Sequence, residues 1–276
     1  MKTRIAKLVS GVFGKKSPGI SLVLSGGGAR GWAHIGLLQA LDEAGIAVEA
    51  ISGVSAGSIV AALYAGGKSP QEILAIVKKA DMFKIVRKGL LAFLPGAFSS
   101  LGYLEQQLKA FLPEDSFEAL GKKVFITAVN LNSGRVEIFS SGELHRPIMA
   151  SCAIPLVFAP VRIGNFLYSD GGLLNNLPVE PLLDKGYKVI GSNVVSPGLN
   201  MGINGIVSVS MRSFELIAYK GIEDKARACD ICLTYEGLEK FHVFKFTSAE
   251  QIVELGYREA KKQMSEIERA VLSGKM

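Results

Sequence analysis

Apolar and polar residues follow two different spacings along the first third of the chain. Short, mainly apolar runs at 20–24 ("ISLVL") and 48–52 ("VEAIS") predict buried strands. Each strand is followed by small residues and then by a run with helical spacing, "WAHIGLLQALDEAG" or "SIVAALYAGG", that ends at glycine. The order strand, helix, strand, helix predicts parallel β-α-β pairing.

The rest of the chain continues the pattern without an internal repeat or a low-complexity linker. The predicted strands are 123–130 and 135–140, the hairpin "VRIGNFLYSDGG", 187–195, 231–234 and 242–246. The predicted helices are 145–153, 206–228 and 249–272, and 69–112 is an irregular helical segment broken at Pro95. We therefore expect one α/β domain over residues 17–276, with a mainly parallel sheet between helices.

Composition supports a large buried core. Of the 276 residues, 49% are hydrophobic and only 20% are charged, which fits a sheet covered by helices on both faces. Two uncharged stretches, 50–67 and 189–211, contain many Ser, Gly, Asn or Pro residues, so they predict core strands and loops rather than membrane spans. Three cysteines, an odd and sparse count, predict a reducing cytoplasm and make the C-x-x-C at 229–232 a pair of structural thiols.

Positive charge is concentrated in a basic leader, residues 1–16. This leader carries five of the net six positive charges and no acid, so the remainder is close to neutral and a nucleic-acid partner is not predicted. Its apolar residues share one helical face, which predicts an amphipathic helix at a membrane surface. A disordered tail, or a segment docked on a neighbouring subunit, is the alternative. The apolar residues are Ile5, Leu8, Val9, Val12 and Phe13.

The loop "SGGGARG" (25–31) directly follows the first predicted strand, and it has two interpretations. Gly26, Gly28 and Gly31 match the dinucleotide-binding pattern G-x-G-x-x-G, and Glu49 lies about twenty residues further on, as that pattern expects. That acidic residue should end the second strand, but Glu49 stands near its start. The second interpretation is a set of backbone amides that binds a reacting oxygen.

The second strand ends in "GVSAGS", which favours the second interpretation. Gly53 to Gly57 match G-x-S-x-G in the required context, with a strand before and a helix after. A sharp turn of this kind exposes a serine hydroxyl as a nucleophile, here Ser55. Since both loops leave parallel strands at the same edge, we expect Gly26, Gly27 and Gly28 to form an oxyanion hole, with Arg30 adding positive charge.

A nucleophilic serine needs a base, and an aspartate is the better candidate here. His34 lies on a predicted core helix and His145 in a predicted surface turn. His242 has the chain order of an α/β-hydrolase histidine but lacks the expected loop. Asp170 ends an apolar strand and is followed by two glycines, so nothing crowds its carboxylate. Partial desolvation would raise the pKa of such a carboxylate towards that of a useful base.

"SGGGARG", "GVSAGS" and "DGG", in that order, resemble the patatin-like phospholipases, including bacterial members similar to the catalytic domain of neuropathy target esterase. "LLNNLP", with Asn176 and Pro178, also resembles this family. The resemblance implies a three-layer α/β/α fold and a catalytic Ser55–Asp170 pair without histidine. It implies an oxyanion hole from Gly26 to Gly28 with Arg30, and hydrolysis of lipid acyl esters without metal or cofactor. It does not extend to residues 1–16 or 82–111.

We therefore expect a lipid-acyl esterase in the cytoplasm, with peripheral contact at the inner membrane surface. Two other functions remain open from the sequence. One is a nucleotide-cofactor-binding protein that uses the glycine loop, and the other is a non-catalytic adaptor with the same fold.

Overall fold

An eight-stranded sheet runs through the protein, whose structure is a computed structural model. The structure describes residues 19–80, 101–183, 185–196, 198 and 202–273. The basic leader, and residues 82–100 of the segment 82–111, lie outside the described residues. The strands are β1 Ile20–Leu24, β2 Val48–Gly53, β3 Lys123–Asn130, β4 Arg135–Phe139, β5 Val161–Ile163, β6 Phe166–Asp170, β7 Lys188–Asn193 and β8 Ile231–Thr234.

The sheet has the order β5-β6-β3-β2-β1-β7-β8, with β4 also paired to β3. The five strands from β3 to β8 in this order are parallel, whereas β4, β5 and β6 pair antiparallel with their neighbours. The predicted mainly parallel sheet is confirmed. The two predicted hairpins are β3–β4 and β5–β6.

Helices cover both faces of the sheet, as predicted for a three-layer α/β/α fold. Along β1, Leu22 and Leu24 belong to the core under α1, α2 and α8, whereas Val23 packs with α7 and residues 177–182 on the other face. This division follows from the alternation of side chains along a strand. The helices are α1 Ala33–Glu43, α2 Ala56–Ala65, α3 Pro70–Lys79, α4 Gly102–Phe111, α5 His145–Ser151, α6 Gly205–Tyr219, α7 Ile222–Arg227 and α8 Ala249–Ser273.

Two sequence predictions about the last third of the chain are wrong. The helix predicted over 206–228 is divided into α6 and α7, because the extended backbone of Lys220 ends α6 and Gly221, with a φ of 86°, precedes α7. The strand predicted over 242–246 is absent, and residues there form a turn that leads into the short 3-10 helix Phe246–Ser248.

Three strand ends meet where the candidate loops begin. Leu24, at the end of β1, pairs with Gly53 at the end of β2. Gly53 in turn pairs with Ile126 of β3, and Asp170, the last residue of β6, pairs with Ala128 two positions along the same strand. Because β6 runs antiparallel to β3, its carboxyl end arrives beside the carboxyl end of β2. The sheet register therefore brings Ser55 and Asp170 together.

Candidate active site

Ser55 lies on a strained turn between β2 and α2. Its φ of 53° and ψ of −126° fall outside the regions that non-glycine residues favour, and the side chain is almost fully buried. Such strain costs about 1–3 kcal/mol and persists where surrounding structure enforces it. Gly57 shows one source of that enforcement, because a Cβ there would lie 2.3 Å from the Leu24 carbonyl oxygen. Crowding thus requires glycine at position 57, the last position of the G-x-S-x-G pattern.

Ser151 on α5 holds the backbone of the turn. The Ser55 N–H donates to Ser151 Oγ at 2.8 Å, and Ser151 Oγ donates to the Thr127 carbonyl oxygen at 2.7 Å. Ser151 therefore connects the turn to β3 between the positions that pair with β2 and β6. Sequence reasoning missed this residue, and a buried serine within "MASCAIP" carries no spacing signal that could have found it.

Asp170 is buried beside the turn, with 1% of its surface exposed. Its Oδ1 accepts a 2.8 Å hydrogen bond from the Gly172 N–H. Burial raises the pKa of Asp170 from 3.8 to about 7, although the nearby Ser55 hydroxyl and the hydrogen bond from the Gly172 N–H act in the opposite direction. Oδ2 is buried and accepts no hydrogen bond from the described residues. This oxygen is therefore available to accept a proton.

The glycine loop lies against Ser55. A Cβ on Gly26 would lie 3.0 Å from Ser55 Cβ, so only glycine brings the backbone this close. The Gly26 N–H donates to Asn176 Oδ1 at 3.2 Å. The N–H groups of Gly27 and Gly28 make no hydrogen bond within the described part of the chain, and Gly28 has a φ of 57°. Two backbone donors therefore remain available next to the serine.

The Arg30 guanidinium bonds to segments outside this loop. Its Nε donates to the Phe241 carbonyl oxygen at 2.8 Å, and Nη1 donates to Glu215 of α6 at 3.0 Å and to the Ser196 carbonyl oxygen at 3.4 Å. The side chain is 8% exposed. These contacts fasten the loop to α6 and to the segment before the last helix. Direct contact of Arg30 with an oxyanion stays a prediction.

The three histidines have different surroundings. His34 is fully buried, and its ring bonds Ser192 Oγ at 2.8 Å and the Ser25 carbonyl oxygen at 2.9 Å. Burial lowers the pKa of His34 to about 4, so the ring is neutral, and its Nε2 donates because a carbonyl oxygen only accepts. His145 is buried on α5 and not in the surface turn predicted from the sequence. His242 is exposed and accepts a bond from the Phe244 N–H.

An apolar pocket opens beside Ser55. Its wall combines residues from the glycine loop, α2, the start of α4, the segment after α5 and the segment before α8, and aromatic and aliphatic side chains dominate it. Cys152 also contacts the pocket, and burial raises the pKa of its thiol well above the usual range, so it stays protonated. The lining residues are Gly28, Trp32, Ser55, Ala56, Ile59, Leu101, Leu104, Cys152, Ile154, Phe158, Phe244 and Phe246.

The geometry contradicts dinucleotide binding by the loop. Glu49 lies beside Gly19 at the amino-terminal end of β1 and β2, where a Cβ on Gly19 would lie 2.1 Å from the Glu49 side chain. The glycine loop lies at the other end of the same strands, roughly 13 Å away at the usual rise per residue. Glu49 therefore cannot reach a ribose bound at the loop. The described residues also contain no cluster of three or more histidine, cysteine or acidic side chains suited to a metal ion.

Ser55 on its strained turn lies near the buried Asp170 and near glycine N–H groups without a partner among the described residues, an arrangement typical of serine hydrolases with an α/β fold. The family model for patatin-like phospholipases matches residues 22–183, more than half of the sequence. The chain belongs to the patatin-like phospholipase family, which confirms the resemblance seen in the three motifs.

Relatives in other organisms carry names from the neuropathy target esterase (NTE) branch. An uncharacterised NTE family protein of Mycobacterium bovis is 34% identical over 176 residues, which cover 62% of this chain and 47% of that protein. The lysophospholipase NTE1 of Yarrowia lipolytica is 31% identical over 194 residues, or 68% of this chain and 13% of that protein. The chain thus spans less than half the length of these relatives.

Solved structures support the fold. VipD from Legionella pneumophila aligns with a TM-score of 0.58 at 15% identity, over 91% of this chain and 67% of that chain. Human GIVD cytosolic phospholipase A2 aligns with a TM-score of 0.53 at 10% identity, over 94% of this chain and 60% of that chain. At such low identity these alignments support the architecture, which agrees with the predicted α/β/α fold.

Proposed function

We propose that this protein hydrolyses acyl esters of lipids through an acyl-enzyme on Ser55. The observation that carries the proposal is the position of the buried Asp170 carboxyl near the hydroxyl of Ser55, which lies on a strained turn. Burial raises the pKa of this carboxyl to about 7. A base with a pKa near the working pH transfers protons most efficiently. Family membership supports the same reaction class.

In the first step, Asp170 Oδ2 takes the proton of the Ser55 hydroxyl while Ser55 Oγ attacks the ester carbonyl carbon. The carbonyl oxygen gains negative charge and is bound by the free N–H groups of Gly27 and Gly28. An oxyanion donor of this kind lowers a barrier by roughly 3–4 kcal/mol. Proton return from Asp170 releases the alcohol or lysolipid.

In the second step, Asp170 deprotonates a water molecule that attacks the acyl carbon. The same amides stabilise the second oxyanion, and the fatty acid leaves as Ser55 regains its proton. The apolar pocket suits the acyl chain, because Trp32, Phe158 and the other hydrophobic side chains beside Ser55 offer it a surface from which water is excluded. Residues of this chain supply every proton transfer in the cycle.

We also propose that the protein works in the cytoplasm and touches a membrane reversibly through the basic leader. No helix among the described residues is long and apolar enough to cross a membrane. The five basic side chains of residues 1–16 would each contribute about 1 kcal/mol at an anionic surface, so binding should weaken with salt. Sedimentation with anionic and neutral vesicles tests this, and equal pelleting with anionic vesicles of chains with and without residues 1–16 would refute it.

The decisive experiment for the enzymatic activity is a comparison of wild type with Ser55→Ala and Asp170→Asn. A panel of soluble esters, phospholipids and lysophospholipids gives the turnover, and a fluorophosphonate probe gives the serine that reacts. Both variants should lose nearly all turnover, and the double variant should be hardly worse, because the two residues act as one unit.

The matched control is Ser52→Ala, which removes a buried hydroxyl on β2 that has no partner among the described residues. It should keep both turnover and labelling. More than a tenth of wild-type turnover in Asp170→Asn would refute the pair. Labelling that persists in Ser55→Ala would move the nucleophile elsewhere.

A further inference from the structure

One peptide group of the glycine loop, that between Ser25 and Gly26, is held on both sides. The Ser25 carbonyl oxygen accepts from His34 Nε2 at 2.9 Å. The Gly26 N–H of the same peptide donates to Asn176 Oδ1 at 3.2 Å. A planar peptide with both polar groups bonded cannot rotate without losing a bond. Its orientation is therefore fixed from two distant parts of the chain.

The residues that follow this peptide need such an anchor. Gly27 and Gly28 have no Cβ to restrict them, and Gly28 has a φ of 57°, in the left-handed region. Glycine loses more conformational freedom on folding than other residues, so a run of glycines does not fix its own shape. The direction of the two free N–H groups depends on where the preceding peptide points.

Asn176 also touches the loop that carries the base. A Cβ on Gly172 would lie 2.9 Å from Asn176 Oδ1 and 3.0 Å from Asp170 Oδ1. A Cβ on Gly26 would lie 2.6 Å from the same Asn176 oxygen. One amide oxygen thus lies against both glycines, one beside the nucleophile and one that bonds Asp170.

The other end of this amide shows that packing alone does not explain the residue. The Gly26 N–H is a donor, so the atom facing it is the oxygen, and Nδ2 must point elsewhere. Nδ2 is buried and has no partner among the described residues. An unpaired buried donor destabilises the fold, and an apolar side chain of similar volume would avoid this. The contribution of the side chain therefore lies in its oxygen, which accepts the bond from the Gly26 N–H.

We propose that Asn176 is a positioning residue for acyl transfer: with His34 it clamps the Ser25–Gly26 peptide and so directs the Gly27 and Gly28 N–H groups at the oxyanion. This inference rests on the proposed esterase function. It separates the three glycines by role, since the Gly26 N–H holds the loop in place and the next two N–H groups meet the substrate. Asn176 acts through the backbone and does not need to touch the reacting atoms.

The test compares Asn176→Ala with Asn175→Ala, a matched control in which the neighbouring buried asparagine loses a bond to Glu180. The measurements are kcat and KM on a short soluble ester, the rate constant for inactivation by a fluorophosphonate, and Tm. In Asn176→Ala, kcat and the inactivation rate should each fall at least ten-fold while KM changes less than three-fold. The decrease in kcat should not exceed about 10²–10³-fold, which is the effect of removing one oxyanion-hole donor completely. Asn175→Ala should keep kcat within three-fold.

A second variant keeps the test valid if the alanine variant does not fold. Asn176→Asp preserves an oxygen acceptor for the Gly26 N–H. The added negative charge near Asp170 disfavours ionisation of this base, so kcat should rise at a higher pH than in wild type. Its plateau kcat at high pH should lie within three-fold of wild type.

Three results would overturn the inference: an unchanged kcat in Asn176→Ala, an equal loss in Asn175→Ala, or a ten-fold lower plateau in Asn176→Asp. Wild-type protein that neither hydrolyses esters nor reacts with the fluorophosphonate would instead refute the proposed function, and the inference with it.

Discussion

Replacement of the proposed catalytic base should stabilise the protein, and the gain should depend on pH. Asp170 is charged at high pH but has almost no contact with water. Removing its charge in Asp170→Asn therefore removes a desolvation penalty that the folded state bears and the unfolded state does not. The oxygen of the new amide still accepts the hydrogen bond that the Gly172 N–H donates to Asp170.

The sign and size follow from the pKa. The folded-state pKa of Asp170 is about 7 against an ordinary value of 3.8, so between these pH values the folded protein binds more protons than the unfolded chain. Stability contributed by this group is therefore lost as pH rises from about 4 to 7. Each pKa unit is worth about 1.4 kcal/mol, which gives a loss of roughly 3 kcal/mol between pH 4.5 and 8.5. Asp170→Asn has no such loss.

The measurement is the free energy of unfolding from urea titrations of wild type and Asp170→Asn at pH 4.5 and pH 8.5. The stability difference between the two proteins should move in favour of Asp170→Asn by roughly 3 kcal/mol from the lower to the higher pH. This change with pH cancels any fixed cost of the substitution, such as an unpaired amide hydrogen. Asp224→Asn, at an exposed aspartate of α7, serves as the control and should show no comparable change.

Two results would refute the reasoning. If the stability difference between wild type and Asp170→Asn stays constant with pH, then burial does not raise the pKa of this carboxyl. If it moves in favour of wild type at high pH, then Asp170 is stabilised as an anion by groups that the structure does not reveal.

Four further predictions concern rates and folding. The ratio kcat/KM should rise about ten-fold between pH 6 and pH 8, since a base with the pKa of Asp170 must be ionised, and a flat profile would exclude it as the base. Ser151→Ala should lower kcat at least ten-fold and destabilise by about 1–3 kcal/mol, measured by turnover and urea titration, because it leaves a buried backbone N–H unpaired. Gly57→Ala should not yield folded protein, whereas Gly67→Ala, at a site with open space, should fold with a lower Tm because its φ is 85°. His242→Ala should leave turnover within a few-fold, and complete loss in a folded variant would indicate a histidine base.

The sequence predicts the candidate site wherever a residue type is forced by local geometry. Gly57 must be glycine because the backbone of β1 lies against it, and Ser55 must end a strand at a crowded turn beside Gly26. Such requirements leave fixed spacings that can be recognised without a structure. The same holds for the strands, whose ends coincide with these motifs.

Other parts of the site depend on contacts between distant segments, which leave no local pattern. Ser151 reaches Ser55 from another helix, and although the motif "LLNNLP" points to Asn176, its bond to Gly26 joins residues 150 positions apart and could not be predicted. His145 is polar in a polar stretch, and only tertiary packing buries it. The predicted strand at 242–246 fails for a related reason. Val243 there uses its carbonyl oxygen to accept from the Ala29 N–H of the glycine loop, so this backbone serves the loop and not the sheet.

The meeting of β2 and β6 along β3 has a consequence for how the protein becomes active. Ser55 and Asp170 come from opposite directions, and only the residues between Ile126 and Ala128 set the gap between them. A slip of either strand by one residue would turn its side chains to the other face of the sheet and separate the pair. Catalytic activity therefore depends on strand alignment. During refolding, turnover should appear only after β2 and β6 have both paired with β3 in the correct register, which is later than the burial of the core. A newly made or damaged chain with misaligned strands would thus be compact yet harmless to the lipids around it.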